Sequence, residues 1–250
     1  MPSDSELFAK LKALIGTTVP QLEIGSGFGG TGGYGLITEY LLGISANNRD
    51  TPDSGTWEVK THGGKSLLTL FHKKPENGTP SIRSLVKQCG WVDEKGRRSF
   101  RHTLKAQSER GFYVAQDGNR IVVRNDEYPD ILPPYWTHDT LVTAFAYKLR
   151  RLALITGTRH KKRQEFTYKS IRLYVDAKPF AFLDAIKRGI VAIDFDAREM
   201  RPGSNALRNH GTKFRISVSN LHKLYEKNES FGEKKRNREL NLNPPSRIIS

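Results

Sequence analysis

The segment 52–61, with the sequence Pro-Asp-Ser-Gly-Thr-Trp-Glu-Val-Lys-Thr, constrains this chain more than any other. Its second half alternates polar and apolar residues, the pattern of a half-buried β-strand. Successive side chains of a strand point to opposite faces, so Glu58 and Lys60 share one face, while the tryptophan and the valine share the other. Asp53 lies just before the strand. The segment therefore predicts two carboxylates and an ammonium group gathered at the rim of a sheet.

The spacing Pro-Asp-x(4)-Glu-x-Lys is the signature of the PD-(D/E)xK class of metal-dependent nucleases. Carboxylate oxygens are hard ligands, which suit Mg²⁺ and the chemistry of phosphate esters. The pattern is short, however, and the alternative is an exposed edge strand that carries alternating charges. The remaining features of the sequence have to distinguish these two interpretations.

The charge of the chain favours a nucleic acid as partner. The 250 residues include 41 Lys and Arg against 26 Asp and Glu, which gives a net charge of +15 and a pI near 9.9. A strongly basic chain binds nucleic acid because each phosphate contact releases counterions. A generically basic protein, such as a ribosome-associated factor, has the same composition.

The single cysteine, Cys89, excludes a disulfide framework and a cysteine-based zinc site. No apolar run reaches the roughly 18 residues that are needed to span a bilayer. The first residues lack a basic region followed by a long apolar one, so no secretory signal is expected. We therefore expect a soluble protein of the reducing cytoplasm.

Hydrophobic periodicity and turn residues predict an α/β or mixed α+β fold, because helices and strands alternate through most of the chain. Ser5 is a plausible cap for the first helix. The predicted helices lie at about 5–15, 36–42, 81–91, 137–150, 179–188 and 219–226. The predicted strands lie at about 56–61, 66–71, 111–115, 120–124, 151–156, 171–175, 190–195 and 213–218. The polar residues after 226 are expected to be poorly ordered.

Several segments together resemble one enzyme family. Glu39 lies in a short predicted helix, fourteen positions before Asp53. Two longer segments carry the rest of the resemblance, Lys-Ser-Leu-Leu-Thr-Leu-Phe-His-Lys-Lys-Pro at 65–75 and His-Gly-Thr-Lys-Phe-Arg-Ile at 210–216. With the catalytic spacing, these segments resemble the MvaI/BcnI family of monomeric type II restriction endonucleases, which is related to the mismatch-repair enzyme MutH.

The resemblance implies a PD-(D/E)xK restriction-endonuclease-like core, built as a bilobal clamp. Residues 1–226 would form one bilobal domain, with a catalytic lobe that includes 25–75 and a recognition lobe that includes 205–226; residues 227–250 would be a basic tail. A monomer with one active site would nick one strand of double-stranded DNA at a time. The expected product ends are 5′-phosphates, at a target of the type CCNGG. A prokaryotic cell with such an enzyme is expected to contain a cognate DNA methyltransferase.

The resemblance also assigns catalytic roles. Asp53 and Glu58 are expected to bind one or two Mg²⁺ ions, with the carbonyl of Val59 as a further ligand. Lys60 is expected to orient or deprotonate the attacking water and to stabilise charge on the phosphorus. Glu39 is expected to bind a second metal or to hold water and Lys60; a surface helix carboxylate is the alternative.

DNA-reading roles follow in the same way. His72 is expected near the central base pair, where a neutral imidazole can accept from guanine N2 and so favour a G·C centre. Lys213 stands where the BcnI-like relatives carry a histidine, and a lysine cannot accept. Arg215, together with Arg208 and His210, is expected to read the outer G·C pairs. Phosphate contacts or long-range attraction are expected from a set of basic residues, with a solvated charged loop as the alternative: Lys73, Lys74, Arg97, Arg98, Arg101, Lys161, Lys162 and Arg163.

Two other functions remain open at this point. One is a strand-nicking repair endonuclease like MutH, which acts in response to partners. The other is a DNA-binding module without catalysis, in which the acidic pair has no chemical role. The intact set of Asp53, Glu58 and Lys60 disfavours the second.

Overall fold

The computed structural model of the chain describes residues 3–20, 33–44 and 51–232. The start of the predicted catalytic lobe, residues 25–32, and the tail residues 233–250 lie outside the described residues. The fold is mixed α+β, as predicted. Among the described helices, none has the length and apolar character needed to cross a membrane.

The α-helices are short, and a side chain caps the N-terminus of the first and of the fourth. Ser3 accepts from the backbone N–H of Glu6 at 3.3 Å, and the Glu6 carboxylate accepts from the N–H of Ser3 at 2.8 Å, so the cap of the first helix is Ser3, not Ser5. Thr137 caps the fourth helix in a similar way. The helices are α1 (Asp4–Leu14), α2 (Gly33–Leu42), α3 (Gly78–Ser84), α4 (His138–Lys148) and α5 (Pro179–Lys187). A π-helical turn, Leu85–Cys89, follows α3, and a 3₁₀ segment spans Val218–Leu224.

The strands form three sheets in the described residues. In chain order they are β1 (Thr18–Pro20), β2 (Trp57–His62), β3 (Leu68–His72), β4 (Trp91–Val92), β5 (Arg98–Leu104), β6 (Phe112–Asp117), β7 (Arg120–Asn125), β8 (Tyr135–Thr137), β9 (Arg151–His160), β10 (Glu165–Ala177), β11 (Val191–Glu199), β12 (Leu207–Asn209), β13 (Lys213–Ile216) and β14 (Tyr225–Gly232). The predicted hairpin around Gly118 is confirmed as β6 and β7, and this glycine has the positive φ of 58° that its turn requires.

The five-stranded sheet has the order β1-β10-β9-β2, and β14 pairs with the rest of β10. Its strands pair antiparallel, except that β2 runs parallel to β9. In the described part of the sheet, β2 pairs with β9 alone and therefore forms an edge. The six-stranded sheet has the order β3-β13-β11-β5-β4, with β12 paired to β11. The short connection 63–67 thus joins edge strands of two different sheets.

Two apolar cores hold the sheets in place. The larger core contains one face of the six-stranded sheet, helices α4 and α5, and the Leu152 side of the five-stranded sheet. Phe182 of α5 stacks on Phe145 of α4 with ring centroids 4.6 Å apart, and it also contacts Phe71 and Phe214 of the six-stranded sheet. The smaller core lies on the opposite face of the five-stranded sheet, under α1 and α2. The five-stranded sheet is therefore buried on both faces.

The end of the described chain differs from the prediction. The helix predicted at 219–226 is a 3₁₀ segment that ends at Leu224, because Tyr225 begins β14 and packs against Tyr174. Residues 227–232, predicted as the start of a poorly ordered tail, are paired with β10. Their side chains are mostly exposed, so these residues are ordered by backbone pairing with β10. Amino-acid composition does not reveal this pairing.

The long hairpin of β9 and β10 was predicted too short. The strand predicted at 151–156 continues to His160. The strand predicted at 171–175 already begins at Glu165. The additional residues are polar on their exposed sides, and their pairing across the hairpin compensates for the weak apolar pattern.

Candidate active site

The edge strand β2 presents the predicted catalytic residues in the expected register. Trp57 and Val59 are 1% and 4% exposed and pack into the smaller core. Glu58 and Lys60 lie on the opposite face, and the Lys60 ammonium donates to Glu58 Oε1 at 2.9 Å. The alternation of the sequence therefore appears in the fold as one buried apolar face and one face with a carboxylate–ammonium pair.

Asp53 reaches the same edge through a tight turn. Ser54 and Trp57 exchange backbone hydrogen bonds of 3.0 and 2.8 Å, which folds the chain back immediately before β2. The Asp53 carboxylate then accepts from the backbone N–H of Val59 at 2.9 Å. In a strand the N–H and C=O of one residue point to the same side, so the Val59 carbonyl also points away from β9, toward Asp53.

Glu58 combines deep burial with an unsatisfied oxygen. The residue is 2% exposed, and burial raises the pKa of its carboxyl to about 7, while Lys60 lowers it and Asp53 raises it further. Its second oxygen, Oε2, has no hydrogen-bond partner among the described residues. An unsatisfied buried carboxylate oxygen is costly, which suggests a ligand from outside the chain.

A third carboxylate belongs to the same electrostatic cluster. Glu39 projects from α2, and its pKa is raised first by burial and then by the negative charge of Asp53. Lys60 and Lys148 oppose both effects. The structure thus brings the half-buried Glu39 into the field of the residues on and before β2.

The donor set of this cluster fits a hard divalent cation. Across the described ranges, no three His, Cys, Asp or Glu side chains lie close enough together to bind a metal by themselves. The available oxygens are those of Asp53 and Glu58, with the Val59 carbonyl on the same side of the strand. Mg²⁺ is usually held by one or two carboxylates, with water and substrate phosphate as the other ligands, so this set suffices.

A cleft of about 600 Å³ opens beside the cluster. Its walls come from both large sheets, because Lys60 and Arg159 belong to the five-stranded sheet and Arg215 to the six-stranded sheet. The connection 63–67, Lys161 of the β9–β10 hairpin and residues of α2 also line it. Several basic side chains therefore line the cleft, and Glu39 of the carboxylate cluster lines it as well.

Comparison with known proteins identifies the family. The profile of the MvaI/BcnI restriction endonuclease family matches residues 19–225. The chain belongs to this family. A member of it is a type II site-specific deoxyribonuclease, in agreement with the function that the sequence motifs predicted.

Two solved structures of restriction endonuclease MvaI have a similar fold. The complex of MvaI with its cognate DNA substrate has a TM-score of 0.73 and 24% identity to this family member. MvaI without DNA has a TM-score of 0.51 and 25% identity. Both alignments cover 92% of this chain and 99% of the MvaI chain. A comparison with curated proteins gives no match.

The polar face of the six-stranded sheet carries the predicted DNA-reading residues of this endonuclease. Arg215 on β13 donates to Asp194 at 3.3 Å and to the carbonyl of Leu67 at 2.9 Å. Lys213, two residues earlier on the same face, donates to Asp196 at 3.2 Å. The two aspartates thus hold both cations in place on the sheet.

His72 lies beside Lys213, since these residues are paired between β3 and β13. The pKa of His72 is lowered, first by partial burial and then by the positive charges of Lys213, Lys60 and Lys148. The lowered pKa favours the neutral imidazole, which is the form that can accept a hydrogen bond.

The other predicted contact residues are dispersed around these two strands. Arg208 on β12 and His210 just after it are exposed, and the backbone N–H of His210 donates to the carbonyl of Asp196 at 2.9 Å. Lys74 is exposed, whereas Lys73 is half-buried, with its carbonyl accepting from the indole of Trp136 at 3.1 Å. Trp136 itself is fully buried in the larger core.

Sequence reasoning missed three residues of this region. Asp194 and Asp196 alternate along β11 with buried apolar residues, a pattern that predicts a polar strand face but not the partners on it. Lys148 ends α4 and lies 3.8 Å from Glu58 Oε1. Its sequence context is that of an ordinary lysine in the last turn of a helix, so no local signal indicates this contact.

Proposed function

We propose that this endonuclease hydrolyses double-stranded DNA with Mg²⁺ and leaves 5′-phosphate ends. The proposal depends on one observation, the convergence of Asp53, Glu58 and Lys60 on a single edge strand beside a basic cleft. One of the two similar structures is a complex of MvaI with its cognate DNA, which supports DNA as the substrate here.

The metal would be held by Asp53, by Oε2 of Glu58 and by the carbonyl of Val59. When bound, Mg²⁺ supplies Lewis acidity at the phosphate and lowers the pKa of a water ligand. The unsatisfied Oε2 of Glu58 supports this assignment, because a cation would satisfy it. One ion is the minimum, and Glu39 would support a second one.

Lys60 would act on the attacking water and on the charge that develops at the phosphorus. Its ammonium is held at 2.9 Å by Glu58 and is 17% exposed, so it lies at the boundary between the buried carboxylate and the cleft. Glu39 would orient the water and Lys60 from the side of α2. Lys60 and Glu39 would together hold the water and move its proton.

DNA would lie in the cleft, with the polar face of the six-stranded sheet against its bases. Arg215 is the main candidate for major-groove reading, since arginine pairs well with guanine O6 and N7. Arg208 and His210 would assist it, while Lys73 and Lys74 would contact phosphates. The net charge of +15 supports this interface.

The target would be of the type CCNGG, with a G·C centre slightly favoured. A neutral His72 can accept from guanine N2 in the minor groove, where A·T offers no donor. The lowered pKa of His72 supports its neutral form. Lys213 beside it can only donate, and it would contact an acceptor on a base or a phosphate instead.

The enzyme would act as a monomer that nicks one strand and rebinds to cut the other. The single catalytic cluster found in the described residues supports this order of events. In its cell, a DNA methyltransferase of the same specificity would protect the host DNA.

Supercoiled plasmid DNA incubated with Mg²⁺ or with EDTA provides the decisive test. We expect nicked and then linear DNA in Mg²⁺, with breaks at discrete sites, and intact plasmid in EDTA. Sequencing the ends gives the target and the cut position. Binding without scission in Mg²⁺ would instead indicate a DNA-binding module, and nicks that depend on added partner proteins would indicate a MutH-like enzyme.

A further inference from the structure

Helix α4 delivers a second ammonium group to the active site. Lys148 is the last residue of α4, and only two residues separate it from β9, the strand that pairs in parallel with β2. This connection brings its Nζ to 3.8 Å from Glu58 Oε1, with 19% of the lysine side chain and 3% of the glutamate side chain exposed. Its charge also acts on Glu39 and His72.

The two lysines approach the same oxygen of Glu58 from different elements. Lys60 hydrogen-bonds to Oε1 at 2.9 Å, and Lys148 is at ion-pair distance from that oxygen. The other oxygen, Oε2, has no partner among the residues that the structure describes. Glu58 is thus divided into a side that faces cations of the protein and a side that is open to a ligand.

This geometry divides Lys60 between Glu58 and its expected role. The ammonium has three N–H donors, and the one that holds Oε1 of Glu58 is not available to a water molecule or a phosphate, so a full turn of Lys60 toward the substrate gives up its hold on the carboxylate. When Lys60 leaves Oε1, it deprives a buried charge of its closest partner, which is strongly unfavourable unless another cation replaces it. Lys148 is the cation at hand.

We propose that Lys148 is a positioning residue of the active site, which holds the carboxylate of Glu58 when Lys60 turns to the substrate. The inference rests on the proposed function, in which Lys60 acts on the reacting groups. Lys148 does not touch the substrate in this arrangement. It keeps Oε2 of Glu58 directed at the metal position and compensates for the negative charge of Glu39 and Glu58.

A structural alternative exists for this lysine. A cation in the last turn of a helix stabilises the helix through its dipole, and Lys148 has this position in α4. Lys187 has the same position in α5, where it is exposed and donates to Gln116 at 3.3 Å. Lys187→Met therefore removes a comparable charge at a helix end away from the cluster, and it is the matched control.

The first measurement separates chemistry from binding. In single-turnover cleavage of plasmid DNA at saturating Mg²⁺, Lys148→Met should lower the rate constant by between about tenfold and a hundredfold, as expected for a misplaced catalytic group. Its affinity for the same DNA in Ca²⁺ should change by less than about twofold, Lys148→Arg should regain most of the rate, and Lys187→Met should cleave like the wild type. A wild-type rate for Lys148→Met, or an affinity loss as large as the rate loss, would overturn the proposal.

The second measurement needs neither DNA nor metal. A double-mutant cycle of denaturant unfolding in EDTA, at a pH above the Glu58 pKa of about 7, combines Lys148→Met with Glu58→Gln. The destabilisation by Lys148→Met should largely disappear in the Glu58→Gln background, because the partner charge is gone. Equal destabilisation in both backgrounds would refute the pairing. Lys148→Gln, which keeps a donor, enters the same cycle where Lys148→Met does not fold.

The two measurements distinguish failure of this inference from failure of the proposed function. If the wild-type enzyme does not cut DNA in Mg²⁺, the proposed function fails, and the unfolding cycle still decides whether Lys148 holds Glu58. If the wild type cuts and Lys148→Met cuts equally well, the proposed function stands and the role of Lys148 is refuted.

Discussion

Glu58 carries a carboxylate on one face of β2, and packing of the fold buries this carboxylate almost completely. The burial raises its pKa, and the nearby lysines only partly compensate. Asp53 differs, because it accepts a backbone N–H and remains half-buried. The two metal-binding carboxylates we propose are therefore inequivalent before any ion binds, and their roles can be tested one at a time.

Asp53→Ala and Lys60→Ala should lower DNA cleavage by about a thousandfold or more, because each removes a group that acts on the reacting phosphate. Binding of target DNA in Ca²⁺ should survive in both variants. Cleavage on gels and fluorescence anisotropy measure the two quantities. Equal loss of binding would show that these side chains serve the interface and not the chemistry.

The raised pKa of Glu58 predicts a pH-dependent stability in EDTA. A carboxyl whose pKa rises from its ordinary 4.5 in the unfolded chain to about 7 in the fold favours folding below pH 4.5, and this contribution is lost as the pH rises to 7. Glu58→Gln removes the loss, so it should be more stable than the wild type above pH 7, by roughly 3 kcal/mol. Denaturant unfolding across this range tests the difference, which should shrink toward acidic pH; a constant difference would contradict the assigned cause.

Arg215 is held by Asp194 and by the carbonyl of Leu67, so its guanidinium is preorganised at the cleft. Arg215→Ala should reduce the preference for the target over random DNA by about 1–3 kcal/mol. Competition binding in Ca²⁺ measures this ratio. Arg124, which pairs with Asp117 at the surface of the three-stranded sheet, provides the control. An unchanged ratio in Arg215→Ala would refute the reading role.

At the scale of elements, aromatic side chains fix the helices between the sheets. Phe182 of α5 contacts rings from α4, β3 and β13, and it is fully buried. The contacts of α4 with α5 hold the end of α4 in place, and this end carries Lys148. The packing of an apolar core thus decides the position of a charged group in the active site.

Phe182→Ala should therefore destabilise the protein by about 3–5 kcal/mol, the usual cost of removing a buried aromatic ring. Phe180, two residues earlier on α5, is 79% exposed, and Phe180→Ala should leave the stability nearly unchanged. Thermal and denaturant unfolding measure both variants. Similar losses in the two would show that α5 is stabilised by its own helix propensity and not by the core.

At the scale of the whole molecule, basic charge surrounds the cleft between the sheets. Lys161 and Arg159 line it from the β9–β10 hairpin, and Arg215 lines it from the six-stranded sheet. Charge of this kind attracts DNA without regard to sequence, whereas the residues on the polar sheet face would select the target. The two contributions differ in their dependence on salt.

Lys161→Ala should weaken DNA binding about equally for target and random sequences. It should also reduce the slope of log affinity against log salt by about 1, the value for one phosphate contact. Lys12→Ala is the control, since Lys12 lies on α1, over the smaller core. Anisotropy titrations at several salt concentrations measure the slopes, and a changed ratio between target and random DNA would assign Lys161 to base reading instead.

Local pattern predicted much of this protein. The period of two in segment 56–61 indicated the correct faces for Glu58 and Lys60, and turn residues indicated the β6–β7 hairpin. Most helices and strands were found because each buries one regular apolar face. Strand β14 was missed because it is polar and owes its order to backbone pairing with distant residues, which no local pattern encodes.

The sequence by itself determined the chemistry available: two carboxylates and a lysine in a fixed register, a basic composition and motifs of one endonuclease family. Only the tertiary structure decided which groups meet. In the fold, the Asp53 carboxylate accepts a hydrogen bond from the backbone of Val59, and Glu58 is buried. Lys148, about ninety residues later in the chain, lies at ion-pair distance from Glu58. The reason is physical: register is a property of neighbouring residues, whereas burial and charge pairing depend on elements that pack from distant parts of the chain.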